Sequence, residues 1–182
     1  MKTNYSQIDQ DIFVIQTLKE KKDGLFLDIG SAGPTIINNT YLLEKKYNWT
    51  GISIDLDKNY EIEWKNSDRV SKFLLQDALT TNYDEILSNL LLENNTDRID
   101  YLSMDLEPPE LTLEALYKLP LDKYRFSVIT FEHDVYRNKQ HILEASRQHF
   151  SKFNYKLAVS NVVNQEDWWI DATLNTIEGY IL

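Results

Sequence analysis

The sequence contains no cysteine among its 182 residues, and it has only five glycines and four prolines. Without cysteine, the chain forms no disulfide, no thiolate metal site and no cysteine nucleophile. A chain of this length buries about 70% of its unfolded surface, so it needs no such crosslink to fold. We therefore expect a single globular domain over residues 1–182.

Basic side chains are also in the minority, because 19 Lys and Arg stand against 29 Asp and Glu, a net charge of −10. A negative net charge disfavours nucleic acid and anionic membranes as partners. No stretch approaches the ~20 apolar residues of a membrane span. Residues 1–7 lack the apolar core of a signal peptide. We expect a cytoplasmic protein, in the host cytoplasm if the source is viral, and leave its oligomeric state open.

Short apolar runs alternate with helical patterns along the chain. Strands are predicted over residues 25–29, 51–55, 70–76, 99–105, 125–131 and 155–163, with a possible seventh at 168–170. Helices are predicted over residues 35–46, 58–65, 83–92, 111–119 and 139–150. Strands separated by helices form βαβ units and a parallel sheet. We therefore predict an α/β fold, a doubly wound Rossmann-like sheet of about seven strands with helices on both faces.

Ligands of such sheets bind at the carboxyl ends of the strands, so these ends are the places to search. The first strand ends in Asp28 and continues into a turn with Gly30 and Gly33. Glycines allow the backbone to approach a ligand closely, but the dinucleotide motif G-x-G-x-x-G is absent. An acid at this turn suits a ligand with a cationic ammonium or sulfonium better than a pyrophosphate. The alternative is a simple β-to-α turn.

The second and third strands also end in acids. Asp55 stands where doubly wound nucleotide binders place an acid against the ribose hydroxyls. Asp57 is the alternative, but it fits the N-cap of the following helix better. The third strand ends in Asp77 and Ala78, an acid and a small residue that suit the amine and the flat face of adenine. Together the three strand ends predict an adenosyl ligand.

The fourth and fifth strand ends bring five groups that bind protons or metals: Asp105, Glu107, Glu132, His133 and Asp134. One of them could act as the general base toward a substrate hydroxyl. Alternatively, two carboxylates and His133 could hold Mg²⁺ or a transition metal, and the candidate ligands are Asp105, Glu132 and Asp134. A third alternative is that some are helix caps or solvated loop charges.

Several segments resemble the FkbM family of methyltransferases. They are Phe26–Gly30, Asn38–Glu44, Trp49–Ile52 and above all Asp100–Glu107, which looks like the family's D-x-L-S-x-D-x-E segment. The likeness runs from about Ser6 to Val163. One departure is Pro108-Pro109, which replaces the glycine-containing continuation of that segment.

The resemblance implies a class I methyltransferase fold, S-adenosylmethionine as cofactor, and O-methylation of a hydroxyl on a sugar or another small molecule. It implies these cofactor contacts: Asp28, Gly30 and Ser31 at the methionine part, Asn39 and Thr40 on a helix that faces the cofactor, Asp55 at the ribose, Asp77 and Ala78 at the adenine, and Asp105 near the sulfonium. We expect Asp105 or His133 to be the base, with Glu107 and Glu132 positioning it or a divalent metal. The partner would be a small-molecule or glycan acceptor.

Two other classes of function share this core. The first is a nicotinamide-linked oxidoreductase, which the missing G-x-G-x-x-G disfavours. The second is a non-catalytic glycan-binding or scaffold module. Retained acids at five strand ends argue against a scaffold, because desolvating a carboxylate costs free energy and a scaffold gains nothing from it.

Overall fold

The computed structural model describes residues 5–174, and within this range the chain forms one seven-stranded sheet. The strands are β1 (Leu25–Ile29), β2 (Thr50–Asp55), β3 (Lys72–Leu75), β4 (Ile99–Met104), β5 (Phe126–Glu132), β6 (Tyr155–Val162) and β7 (Glu166–Asp171). The α-helices are α1 (Gln10–Thr17), α2 (Tyr41–Tyr47), α3 (Lys58–Lys65), α4 (Tyr83–Glu93), α5 (Pro109–Lys118) and α6 (Gln140–Lys152). A 3₁₀ turn covers Val135–Arg137. The predicted single domain extends beyond this range to residues 1–4 and 175–182, which lie outside the described part.

The strand order is β3-β2-β1-β4-β5-β7-β6. The first five strands are parallel, as predicted, whereas β7 pairs antiparallel with both β5 and β6. A wholly parallel sheet is therefore a wrong expectation. The reason is the short connection between β6 and β7, since a parallel pair needs a crossover of a dozen or more residues and a hairpin does not.

Each face of the sheet carries its own hydrophobic core. In β1, Leu25, Leu27 and Ile29 belong to one core and Phe26 to the other, which is the alternation of a strand buried on both faces. The second core is covered by α1, whose Phe13 is fully buried. The sequence analysis did not predict this helix, because its short apolar run mixes β-branched and helix-forming residues. No helix within residues 5–174 is long and apolar enough to cross a membrane.

The helix predicted over residues 35–46 is wrong for its first half, since α2 begins only at Tyr41. Residues 31–40 form a loop that the Asn38 side chain organises. Its Oδ1 accepts hydrogen bonds from the backbone N–H groups of Thr40 (3.0 Å) and Tyr41 (2.9 Å). Its Nδ2 donates to the carbonyls of Ser31 (3.2 Å) and Gly33 (3.0 Å). Asparagine favours such local bonds over a helix interior, so the helix starts after it.

Candidate active site

Two adjoining cavities open at the carboxyl ends of the parallel strands. The β1 cavity, of ≈ 360 Å³, lies against the loop after β1. The β4 cavity, of ≈ 720 Å³, extends from β2 and β3 across to β5. Both are lined by Gly30, Tyr60 and Asp105, so they meet at the ends of β1 and β4. Their size suits a cofactor or a small-molecule ligand.

Gly30 lets these two strand ends meet. Its φ is +79°, a conformation that favours glycine. A Cβ at this position would lie 1.7 Å from the carbonyl oxygen of Asp105. Asp105 in turn donates its N–H to the carbonyl of Ile29 at 2.9 Å. Any larger residue at position 30 would therefore push the end of β4, and the Asp105 side chain with it, out of place.

The β1 cavity is lined by the three residues that the resemblance places at the methionine part, and by one of the two that it places on a helix facing the cofactor. Asp28, Ser31 and Asn39 line it together with Gly30. Burial raises the pKa of Asp28 to about 6, although a hydrogen bond with Ser103 and the charge of Arg69 lower it. The Ser31 hydroxyl is buried and has no hydrogen-bond partner within the described residues. Thr40, by contrast, is fully buried and lines neither cavity.

Arg69 is a residue that the sequence analysis missed. Its side chain is 1% exposed, and its guanidinium lies 4.4 Å from the ring centroid of Trp64. It donates hydrogen bonds to Glu44 Oε2 (2.9 Å), Pro34 O (2.8 Å), Asn38 Oδ1 (3.0 Å) and Thr40 Oγ1 (2.9 Å). We call Arg69, Glu44, Asn38 and Trp64 the loop clasp, because together they hold residues 31–40 beside the β1 cavity. No local sequence pattern connects these residues, so none could reveal the group.

Glu44 is the acid of the loop clasp. Burial alone would raise its pKa, but hydrogen bonds from Ser71 and the charge of Arg69 prevail and lower the pKa to about 2. Trp64 completes the attachment, since its Nε1 donates to the Ala32 carbonyl at 2.8 Å. The loop after β1 is therefore fixed by charged and neutral hydrogen bonds rather than by a helix.

The acids of β2 and β3 line the opposite part of the β4 cavity. Asp55 accepts hydrogen bonds from the N–H groups of Ala32 (2.9 Å) and Asp57 (2.9 Å), so it fixes the loop after β1 as well. Asp57 caps α3 by accepting from the N–H of Asn59 (2.8 Å), which is the role that its sequence position favours. Asp77 and Ala78 also line this cavity, as do their neighbours Gln76 and Leu79.

The β4 and β5 ends contribute what we call the acid wall, Asp105, Glu132 and Asp134. All three line the β4 cavity. Glu132 and Asp134 are 8% and 1% exposed, and each has one carboxylate oxygen without a hydrogen-bond partner in the described part of the chain. Burial and then the hydrogen bond and charge of Asp105 raise the pKa of Glu132. Burial is likewise the largest cause that raises the pKa of Asp105.

Glu166 lies behind the acid wall. Its two oxygens accept hydrogen bonds from Gln10 Nε2 and Trp168 Nε1, both at 2.6 Å. Burial, followed by the charge of Asp105, raises its pKa to about 8. No lysine, arginine or histidine lines either cavity, as far as residues 5–174 show. The acids of this edge are therefore held with little compensating positive charge.

The remaining predicted residues lie at different depths. His133 is fully buried and lines neither cavity. Its Nδ1 accepts from the N–H of Val135 at 3.2 Å, and its Nε2 lies 3.6 Å from Asp167 Oδ1. Glu107 is exposed at the rim, where Arg137 donates to it (2.9 Å) and to Asp134 (2.9 Å). Of the two predicted bases, only Asp105 borders the cavities.

The predicted metal ligands Asp105, Glu132 and Asp134 lie in the same wall, but their geometry does not support a metal site. Within the described residues, no group of three or more His, Cys, Asp or Glu side chains is arranged to hold a metal ion. Glu132 and Asp105 instead interact with each other, since burial first and then their hydrogen bond raise the pKa of Glu132.

No protein-family model and no curated protein sequence matches this chain. Solved structures do. A "putative rRNA-methylase" from Clostridium thermocellum is 15% identical with a TM-score of 0.60, over 95% of this chain and 99% of that one. The plantazolicin methyltransferase BpumL in complex with SAH (S-adenosylhomocysteine) is 13% identical with a TM-score of 0.57, over 90% and 82%.

A methyltransferase from Pyrococcus furiosus is 12% identical with a TM-score of 0.55, over 90% of this chain and 83% of that one. At such identities the likeness concerns the fold, not the substrate. It agrees with the strand order and with the antiparallel β7 described above. The chain has the class I methyltransferase fold.

Proposed function

We propose that this protein is an S-adenosylmethionine-dependent methyltransferase that methylates a hydroxyl of a sugar or another small molecule. The observation that carries the proposal is the row of acids at the ends of β1, β2, β3 and β4, which border two joined cavities on a class I methyltransferase fold. The resemblance to the FkbM family supports the O-methylation. The SAH complex of the BpumL structure supports the cofactor.

The β1 cavity fits the methionine part of this cofactor. The Ser31 hydroxyl is buried and unpartnered there, so it can donate to a carboxylate. Gly30 lets the ends of β1 and β4 pack closely, which places Asp105 at this cavity. Asp28 lines the same cavity and would attract an ammonium group. Asn39 is held at the cavity by donating to Ser103 Oγ at 3.0 Å.

The β4 cavity fits the adenosine. We assign Asp55 to the ribose hydroxyls, since the hydrogen bonds that it accepts from two backbone N–H groups hold its carboxylate at the cavity. Asp77 and Ala78 would take the adenine, and the bond from the Tyr83 hydroxyl to the Ala78 carbonyl (2.8 Å) supports that turn. The bound cofactor supplies a methyl group that its sulfonium already activates.

Asp105 is the base that we assign to the acceptor hydroxyl. It borders both cavities, and a pKa above the usual carboxyl range makes a stronger base. The Asp105–Glu132 pair would take up the proton of the acceptor hydroxyl as that oxygen is methylated. Glu107 and Arg137 hold the loops on either side. The proposal assigns no step to His133 or to a metal.

The rival functions explain less of the site. A nicotinamide dinucleotide would bring a pyrophosphate to a turn that has Asp28 beside it and lacks the second glycine of the motif. A scaffold would not require the buried, unpartnered oxygens of Glu132 and Asp134, whose desolvation costs free energy.

Thermal unfolding with added SAH, S-adenosylmethionine or NAD tests the cofactor. A ligand at 100 times its dissociation constant adds about 2.7 kcal/mol, which corresponds to a rise in Tm of roughly 5–10 °C for a chain of this size. We expect this rise with the two adenosyl-sulfur ligands, and a much smaller one in Asp55→Asn. Asp57→Asn is the matched control, because asparagine also caps a helix. A rise with NAD alone would contradict the proposal.

Turnover tests the base. Asp105→Asn is expected to lower kcat by about 10²- to 10⁴-fold while SAH still binds. Full turnover in this variant would show that another group accepts the proton.

A further inference from the structure

The two cavities have a charge imbalance that the proposed cofactor does not remove. The acids that line the β4 cavity are Asp55, Asp57, Asp77, Asp105, Glu107, Glu132 and Asp134, and within the described chain no basic residue lines it. S-adenosylmethionine carries one net positive charge, from a sulfonium, an ammonium and a carboxylate. The site therefore keeps an excess of negative charge when the cofactor is bound.

The strand order shows where this excess lies. Asp28 and Asp55 lie at the ends of β1 and β2, and Asp77 follows β3; the proposed function gives these three strand ends to the cofactor. Glu132 ends β5 and Asp134 follows it, three strands from β2, which is about 14 Å at the usual spacing of strands. This part of the acid wall therefore faces the acceptor rather than the adenosine.

Two buried oxygens of this wall have no donor. The Glu132 Oε2 and Asp134 Oδ1 atoms are both inaccessible and without a hydrogen-bond partner among residues 5–174. Buried carboxylate oxygens in folded proteins are almost always paired. Arg137 satisfies only the other oxygen of Asp134, at 2.9 Å, and does so from an exposed position at the rim. Two residues that line the β4 cavity are thus short of hydrogen-bond donors.

We propose that the acceptor carries a primary ammonium group, as in an amino sugar or an amino alcohol, and that Glu132 and Asp134 bind this group. This inference rests on the proposed function, because it assigns the acceptor to the β5 side of the β4 cavity. A primary ammonium has three N–H donors and a positive charge, so it supplies both things that the wall lacks. A hydroxyl of the same molecule then lies against Asp105.

The chemistry also excludes other acceptors. A quaternary ammonium has the charge but no N–H to donate. A phosphorylated or carboxylated acceptor would meet like charges on a partly desolvated wall. A neutral sugar could donate hydroxyls, but it would leave the excess negative charge in place.

Matched probes test the inference by calorimetry at saturating SAH: glucosamine against glucose and N-acetylglucosamine, and 4-amino-1-butanol against 1,4-butanediol. Hydrogen bonds to charged groups are worth enough to make the amines bind about tenfold tighter than their neutral partners. Glu132→Gln and Asp134→Asn should each reduce this preference several-fold. Lys139→Gln, which lies outside the cavity lining, is the control and should keep it.

Preference for the neutral partner, no preference, or tighter binding of glucose 6-phosphate than of glucosamine would overturn the inference. So would an amine preference that survives in both Glu132→Gln and Asp134→Asn. The SAH titration is read separately. Failure of SAH to bind, with the amine preference intact, would reject the proposed cofactor and keep the ammonium site.

Discussion

Two groups of buried acids differ in their partners. Glu44 of the loop clasp is bonded to Arg69, and Asp171 at the far end of β7 is bonded to Arg98 (2.5 Å) and Arg125 (2.7 Å). At the carboxyl ends of β4 and β5, Glu132 and Glu166 have no such cation among residues 5–174. Both groups of acids are shielded from water. They differ in whether an arginine side chain balances the charge of the carboxylate.

The pKa values follow this difference. For Glu44 and Asp171, burial is outweighed by hydrogen bonds and the charge of arginine, and the pKa is lowered. For Glu132 and Glu166, burial and neighbouring carboxylates raise the pKa. Paired acids hold a structure together, whereas unpaired acids in a cavity keep their capacity to bind a proton or a cation. The β4–β5 end is therefore the part of the described chain where buried acids have little counter-charge.

Breaking the loop clasp should have the largest effect. Arg69→Met leaves the buried Glu44 with only the partly exposed Lys45 as its cation, which is expected to cost about 3 kcal/mol of unfolding free energy. Urea unfolding at pH 7 measures it. Arg137→Met is the control, because this arginine is exposed and its loss should change stability little. Equal effects in the two variants would mean that the clasp contributes no more than a surface ion pair.

The two groups should respond to pH with opposite signs. The folded protein keeps Glu166 protonated up to about pH 8, whereas the unfolded chain ionises it near pH 4.5. The stability that this residue contributes is therefore complete below pH 4.5 and is lost as the pH rises to 8. The unfolding free energy of the wild type should therefore fall relative to that of Glu166→Gln, by on the order of 3 kcal/mol between pH 5 and 8.

Glu44→Gln is the counterpart of this experiment. Because the pKa of Glu44 is lowered to about 2, its contribution is present above pH 4.5 and is lost only as the pH falls toward 2. The difference between wild type and Glu44→Gln should stay constant from pH 5 to 8. Two results would contradict the distinction between the two groups. One is a wild-type–Glu44→Gln difference in unfolding free energy that changes between pH 5 and 8, and the other is a wild-type–Glu166→Gln difference that does not.

Gly30→Ala tests how the acid wall is joined to the loop after β1. The positive φ and the contact with the Asp105 carbonyl should together cost about 2 kcal/mol and weaken SAH binding. Gly33→Ala is the matched control, because its Cβ would meet only the end of the flexible Glu63 side chain, at 3.3 Å. Comparable losses in both variants would show that the contact at Gly30 is not special.

Asp57→Ala should have the smallest effect. It removes the N-cap of α3 and is expected to cost about 1 kcal/mol. Asp57→Asn should restore this stability, and neither change should alter the SAH affinity. Loss of SAH binding in Asp57→Asn but not in Asp55→Asn would exchange the roles of the two acids.

Local pattern was sufficient for the elements that alternate most regularly. The β1 run and the α3 segment were predicted with their observed bounds. The strand-end acids Asp55, Asp77 and Asp105 were found because a parallel sheet brings its carboxyl ends to one edge. The apolar spacing predicts a helix that begins at residue 35, but Asn38, which lies within that range, and Arg69, which is distant in the chain, hold residues 31–40 as a loop.

The α/β class, the edge where the carboxyl ends of the strands meet and the acids along that edge follow from the sequence pattern, because they depend on short-range periodicity and on strand polarity. The antiparallel direction of β7, the bonds from Arg69 to the loop, and the burial of His133 beside an Asp105 that borders the cavities arise from tertiary contacts. These contacts also decide which acids are paired. Burial and counter-charge come from residues distant in the chain, and they set the pKa values that separate structural acids from those free to bind a ligand.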